Sequence, residues 1–227
     1  MADQLSARGL HFDALDLRKF GRRLREGQTP RYATDLQIYD EDLAAAMAAI
    51  RADLSHLTID RAGPVPTVHL LGHSFGGFVA ALWADRHPGA LGTLILNAPW
   101  LELQGSRLIR NLAMHLVEPV ARADPRRPFR IPEMHGYWQG VSSEAHGEWQ
   151  LHPFWRPAAP FPIRAGWAKA VLAGHTAASR GLHITAPVLV MPSDRTSIQA
   201  EWTEELIHAA SWAQSYTYGV AASTAPP

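Results

Sequence analysis

The stretch that most constrains this chain is residues 65–83, where an apolar run gives way to a serine framed by glycines and then to a second apolar run. The first run contains the β-branched residues Val65 and Val68 and stops at Gly72, which is typical of a buried strand. The second run begins at Phe75 and is rich in small and apolar residues, which favours a helix. Ser74 is therefore predicted to lie in the turn between a strand and a helix.

The pentapeptide Gly72-His73-Ser74-Phe75-Gly76 carries the chemistry of this turn. Glycines on either side remove Cβ atoms, so the turn can tighten until Ser74 is strained and its hydroxyl is exposed. The hydroxyl would stand at a helix N-terminus, where the Phe75 N–H and the helix dipole favour a developing oxyanion. This arrangement indicates a nucleophilic serine of the acyl-transfer hydrolases. The alternative is a glycine-rich turn with an incidental serine, and Gly77 weighs against it as a further small residue for helix packing.

Composition narrows the class of protein. The 227 residues, 47% of them apolar, suit one α/β domain with a substantial core. Lys plus Arg equal Asp plus Glu at 21 each, so no bulk charge recruits nucleic acid or an anionic membrane. The absence of cysteine excludes a thiolate nucleophile and disulfides. With neither a signal-peptide pattern nor an apolar run near 18 residues, we expect a cytoplasmic protein without a transmembrane segment, and no metal or cofactor is called for. The oligomeric state is left open.

The remaining patterns predict alternating helices and strands. Strand, helix and strand at this spacing imply parallel crossovers and a doubly wound sheet. The predicted elements are the end of a helix at 3–8, a buried strand at 11–17, a helix at 33–54, a strand at 91–97, a helix at 164–181 and a short buried strand at 187–192.

The loop Leu15-Asp16-Leu17-Arg18-Lys19-Phe20-Gly21-Arg22, taken with the serine turn, resembles the α/β-hydrolase superfamily, specifically its serine aminopeptidase and lysophospholipase-like (monoacylglycerol lipase-like) branch. The resemblance implies an α/β fold with an incomplete doubly wound, mostly parallel sheet and an inserted lid. It divides the chain into a core (1–99 and 164–195), a lid (100–163) and an atypical tail (196–227). We interpret Asp16 as a loop-capping carboxylate, and Arg22, Arg23 and Arg25 as a solvated basic face.

The predicted lid is rich in aromatic side chains, which would give an apolar pocket beside Ser74. His73, Trp100 and Trp138 are the candidate substrate-binding residues. The expected partner is a small-molecule ester or amide with an apolar acyl part. Alternatively, these aromatic residues only pack the lid onto the body.

The resemblance also implies a catalytic acid and a catalytic histidine after the nucleophile, in that chain order. Asp194 follows the predicted strand 187–192 and is the candidate acid. His208 is the one histidine of the tail and the candidate base. It precedes the last strand candidate, residues 215–220, whereas the family places its histidine after the last strand. His69 and His73 flank the serine turn and are weaker candidates.

The two ends of the chain depart from the family pattern. Few residues precede the first predicted strand, and the His-Gly loop that supplies a second oxyanion donor in the family has no counterpart there. His135-Gly136 copies the dipeptide but falls in the predicted lid. We therefore expect a truncated or misannotated piece of a longer hydrolase, with impaired turnover. The alternatives are a catalytically silent module that binds an apolar ligand, and a fragment with no function of its own.

Overall fold

A computed structural model of the chain describes residues 1–58, 67–102, 107–129, 136–192 and 202–204. Helices and strands alternate from residue 38 to residue 97, as predicted. The helices are α1 (Ala2–Ser6), α2 (Ile38–Thr58), α3 (Phe75–Arg86), α4 (Arg107–Ala123), α5 (Gly136–Val141) and α6 (Ala165–Ala178), with a short 3-10 helix at Gly21–Arg23. The strands are β1 (His69–His73), β2 (Thr93–Asn97) and β3 (Val188–Met191).

The strands form a three-stranded parallel sheet in the order β1-β2-β3. Helix α3 connects β1 to β2, and a longer connection that contains α4, α5 and α6 leads to β3. His73, Asn97 and Met191 are level in the register, so the carboxyl ends of all three strands meet at one edge. In open parallel sheets this edge is where ligands bind.

The core lies on one face of the sheet. Leu94 and Leu96 of β2 are buried there with Phe78 of α3 and Tyr39 of α2. Helix α6 packs closely on this layer, because a Cβ at Gly174 would lie 2.7 Å from the Phe78 ring. Fully burying one large apolar side chain contributes about 1.5–3 kcal/mol, so this single layer supplies much of the fold's stability.

On the opposite face of the sheet, no described residues cover the apolar side chains. Leu71 is 46% exposed, Leu189 51% and Met191 37%. The predicted strand at 187–192 is present as β3, but the prediction that it is buried was wrong, since β3 alternates between half-buried and exposed side chains. An uninterrupted apolar run does not reveal whether both faces of a strand are covered.

The predicted strand at residues 11–17 was wrong. This segment is irregular, with Phe12 and Leu15 each 39% exposed, and no described strand runs beside it. A strand needs hydrogen-bonded neighbours as well as an apolar pattern. The predicted capping role of Asp16 is confirmed, because its carboxylate accepts hydrogen bonds from the N–H (3.1 Å) and Nε (2.6 Å) of Arg22.

Helix α2 begins at Ile38 rather than at residue 33, and ends at Thr58. The Asp35 carboxylate accepts a hydrogen bond from the Gln37 N–H at 2.9 Å, which is a turn rather than a helical arrangement. The helix at 164–181 is confirmed as α6, with a shorter span.

The described parts of residues 100–163 contain α4, α5 and irregular backbone. None of the helices in the described ranges combines the length and the hydropathy that a membrane crossing requires.

Candidate active site

Ser74 occupies the turn between β1 and α3, and its backbone is strained. Its φ is 50° and its ψ is −119°, a conformation that non-glycine residues rarely adopt. Such strain costs about 1–3 kcal/mol and persists only where the surroundings impose it. The predicted strand-to-helix turn with a strained serine is present.

Backbone hydrogen bonds fix Ser74 on both sides. Its N–H donates to the Asn97 carbonyl at 3.1 Å, and its own carbonyl accepts from the N–H groups of Phe78 and Trp100, both at 3.0 Å. Its side chain makes no capping hydrogen bond to α3. The backbone is thus held rigidly while the hydroxyl is not engaged in capping the helix.

The glycines that permit this turn differ from those expected. A Cβ at Gly72 would lie 2.6 Å from the Gly77 Cα and 2.8 Å from the Gly76 carbonyl oxygen, so strand and helix touch through backbone alone. A Cβ at Gly76 would meet nothing within 4 Å. The turn therefore depends on Gly72 and Gly77, and the expectation that Gly76 tightens it was wrong.

Phe75 is the first residue of α3, so its N–H is one of the helix's initial donors, which lack an acceptor within the helix. This is the donor that the sequence assigned to the oxyanion. The Phe75 ring points into an aromatic cluster: it stacks on Phe20 at 5.6 Å and contacts Tyr39 at 5.9 Å and Trp167 at 5.6 Å. These contacts anchor Phe75 at the start of α3.

Sequence reasoning missed two α6 residues that support the site. His175 is buried, and its Nε2 donates a hydrogen bond to the Trp100 carbonyl at 2.9 Å. Trp100 in turn donates its N–H to Ser74. Trp167 stacks beside Trp100 at 6.1 Å. The signal available in the sequence was only that a tryptophan and a histidine occur in a helix of otherwise small residues.

The candidate substrate-binding residues lie in different settings. His73 is exposed, with its Nδ1 3.1 Å from the Asn97 carbonyl oxygen, directly beside Ser74. Trp100 contacts the Ser74 backbone, as described above. Trp138 lies in α5, half-buried, and within the described ranges its ring does not contact the aromatic cluster around Phe75. Asp194, His208 and the decoy His135 lie outside the described residues.

The buried carboxylate described near the site stabilises the fold through an ion pair. Asp42 is 3% exposed and its carboxylate accepts hydrogen bonds from the backbone N–H (2.8 Å) and the Nε (3.1 Å) of Arg18. Burial raises the pKa of the Tyr39 phenol above its usual value. Among the described residues, no group of three or more His, Asp or Glu side chains is arranged to hold a metal ion.

Comparison with known proteins gives one family and several relatives. The family model described as Serine aminopeptidase, S33 (Hydrolase_4) matches residues 1–201. A mouse (Lyso)-N-acylphosphatidylethanolamine lipase is 34% identical over 99 residues, which are 43% of this chain and 25% of that protein. A pig 1-acylglycerol-3-phosphate O-acyltransferase ABHD5 is 34% identical over 87 residues, which are 38% of this chain and 21% of that protein.

Among solved structures, a soluble variant of monoglyceride lipase from Saccharomyces cerevisiae, in complex with a substrate analog, aligns with a TM-score of 0.52 at 13% identity. The alignment covers 84% of this chain and 60% of the yeast chain. At this identity the likeness shows the fold alone. The chain therefore matches about a quarter or less of the curated relatives' length and 60% of the yeast structure.

Proposed function

Because the chain belongs to the Serine aminopeptidase, S33 (Hydrolase_4) family of serine hydrolases, we propose that it cleaves a carboxylic ester or amide through an acyl-enzyme on Ser74. The observation that carries the proposal is the strained Ser74 backbone, at φ 50° and ψ −119° between β1 and α3. A conformation of this kind, at the carboxyl edge of a parallel sheet, is the feature expected of an acyl-transfer nucleophile.

The reaction has two halves. The Ser74 Oγ attacks the carbonyl carbon while a general base takes its proton, and the oxyanion that forms accepts a hydrogen bond from the Phe75 N–H. The tetrahedral intermediate then expels the alcohol or amine, which takes the proton. Water attacks the acyl-enzyme in the second half, releases the acid and returns the proton to Ser74.

Register supports Asp194 as the catalytic acid. Strand β3 ends at Met191, level with His73 through Asn97, and Asp194 follows within three residues. Neighbouring strands lie about 4.8 Å apart, so the ends of β1 and β3 are separated by about 10 Å. An imidazole that hydrogen-bonds both a serine and an acid fits that separation. His208 is the candidate base on chain order alone.

The relatives support an acyl ester as the substrate. Two carry the names of a lipase and an O-acyltransferase, and the yeast structure is of a monoglyceride lipase. We extend this to an apolar acyl part, with His73, Trp100 and Trp138 as binding residues and residues 100–163 as the lid.

An active-site-directed fluorophosphonate tests the proposal on the full chain. We expect Ser74 to be labelled and Ser74→Ala to abolish labelling, because the probe forms a covalent bond only with an activated serine oxygen. Ser179→Ala is the matched control, since Ser179 is exposed at the end of α6 and its hydroxyl donates a hydrogen bond to the Thr176 carbonyl. It should label as the wild type does.

Asp194→Asn and His208→Asn should each slow labelling by at least about 100-fold if they belong to the triad. A soluble, folded protein that never labels would contradict the proposal and favour a silent module. Labelling that survives Ser74→Ala would place the nucleophile elsewhere.

A further inference from the structure

Trp202 lies far along the chain from α5 but packs directly against it. Its ring stacks on the His146 ring, with 3.7 Å between the centroids and 13° between the planes. Its backbone N–H donates a hydrogen bond to the Gln139 side-chain oxygen at 3.1 Å. A Cβ at Gly140 would lie 3.4 Å from the Trp202 Cδ1, so the indole also lies against the α5 backbone. Trp202 is therefore docked on α5 and the loop that follows it.

Gln139 brings the two stacked rings together. Its backbone carbonyl accepts a hydrogen bond from the His146 N–H at 3.0 Å, while its side-chain oxygen accepts the one from Trp202. The loop that carries His146 is also closed by a backbone hydrogen bond, from the Trp149 N–H to the Val141 carbonyl at 3.0 Å. His146 is thus held in place as a surface on which the indole stacks.

The indole Nε1 of Trp202 takes no part in this docking. It is buried, and it has no hydrogen-bond partner among the described residues. The docking therefore depends on the face of the ring and on the backbone N–H. Aromatic stacks of this kind stabilise beyond the apolar area that they bury.

The docking of Trp202 fixes the far end of a segment that follows β3. Strand β3 ends at Met191, whose carbonyl accepts a hydrogen bond from the Ala98 N–H at 2.9 Å. Residues 192–201 are thus held at both ends. The candidate acid Asp194 itself lies outside the described residues, whereas the two fixed points that bracket it, Met191 and Trp202, lie within them. A chain held at both ends samples fewer conformations than a chain held at one end.

We propose that Trp202 is a positioning residue: docked on α5, it restricts the segment that carries Asp194 and so keeps that carboxylate near the carboxyl edge of the sheet. The role of Asp194 rests on the proposed function, whereas the docking of Trp202 does not. Because Gln139 and His146 belong to residues 100–163, the predicted lid would thereby act on the triad as well as on the substrate.

Limited proteolysis of the full chain with trypsin tests the docking. Arg195 lies between the two fixed points and residues 196–227 contain no Lys or Arg, so a cut there yields residues 196–227 as one peptide, measured by mass spectrometry. Trp202→Ala should speed this cut by about 10-fold or more, because a protease cleaves a locally open chain. Trp202→Phe should be cut at close to the wild-type rate, since it keeps a ring and loses only the unpaired Nε1.

Trp149→Ala is the matched control, because Trp149 follows α5 in the same loop as His146 and is 68% exposed. It should leave the cut at Arg195 unchanged. His146→Ala removes the other ring of the stack at an exposed position, so it provides a second variant if thermal unfolding shows that Trp202→Ala does not fold. Equal rates in the wild type and in the folded variants overturn the docking.

A double-mutant cycle on the rate of fluorophosphonate labelling tests the positioning role. Trp202→Ala should slow labelling by about 10-fold in the wild-type background and by less than about 2-fold in Asp194→Asn, because the acid that it positions is already lost there. Trp202→Phe should label as the wild type does. A merely structural role predicts the same factor in both backgrounds, and that result overturns the positioning role. If even the wild type is not labelled, the proposed function fails and the positioning role with it, while the proteolysis still decides the docking.

Discussion

The backbone contact between Gly72 and Gly77 gives the sharpest test of how the Ser74 turn is built. In Gly72→Ala the new Cβ would lie 2.6 Å from the Gly77 Cα and 2.8 Å from both the Gly77 nitrogen and the Gly76 carbonyl oxygen. Ordinary Cβ contacts begin near 3.4 Å. Because all three neighbouring atoms belong to the backbone, no side chain can rotate away, and β1 and α3 must separate by roughly 0.5–1 Å.

That separation has two measurable consequences. Overpacking of this kind costs about 1–3 kcal/mol, and each kcal/mol lowers Tm by about 2–4 °C in a domain of this size. A shift of about 1 Å between the Ser74 Oγ and the oxyanion donor should slow the reaction by about 100-fold. Calorimetric Tm and the rate of fluorophosphonate labelling measure the two effects separately.

Gly76→Ala is the matched control, because a Cβ there meets nothing within 4 Å and Gly76 lies in the first turn of α3. Alanine favours a helix over glycine by up to about 1 kcal/mol, so this variant should be as stable as the wild type or slightly more so. The reasoning is refuted if Gly72→Ala keeps wild-type Tm and labelling, or if Gly76→Ala is the more damaging change.

Two further predictions concern the body of the fold. Asp42→Ala should destabilise the protein by about 3 kcal/mol in urea unfolding, because it removes the buried partner of Arg18, whereas Glu41→Ala removes only an exposed partner and should cost less than about 1 kcal/mol. Burial raises the pKa of Tyr39 above 10.0, so the unfolded state loses its proton first and stability falls as pH rises above about 10. Tyr39→Phe should flatten that fall by up to about 1.4 kcal/mol per pH unit, while Tyr32→Phe should not. A Tyr39→Phe stability profile that parallels the wild type above pH 10 would contradict this.

The Ser74 turn could be predicted because its determinants are local. A strand, a glycine, a serine and a helix follow one another within a few residues, and the required backbone strain is a property of the turn itself. Which glycines allow the strand and the helix to touch could not be predicted in the same way. The close approach of Gly72 to Gly77 depends on how the strand and helix cross, and Gly76 has the same local composition around it.

The failed strand at 11–17 shows the opposite case. Its apolar residues fit a buried strand, but pairing depends on a neighbour that the pattern cannot specify. In the structure this part of the chain makes polar contacts instead. The Asp16 carboxylate accepts a hydrogen bond from the Arg22 N–H, and the Arg18 Nε donates to Asp42 on α2, 24 residues away. Ion pairs across such a distance leave no periodic signal in the sequence.

Helix α6 supports the Ser74 turn through contacts that no motif contains. The His175 Nε2 donates a hydrogen bond to the Trp100 carbonyl, and the Trp100 N–H donates to the Ser74 carbonyl. The position of α6 therefore determines the position of the Ser74 backbone through two hydrogen bonds. Trp167 lies eight residues, or about two turns, earlier in the same helix and packs on the Phe75 ring at 5.6 Å. A shift of α6 would therefore move Phe75, whose N–H is the candidate oxyanion donor, and the backbone of Ser74 together.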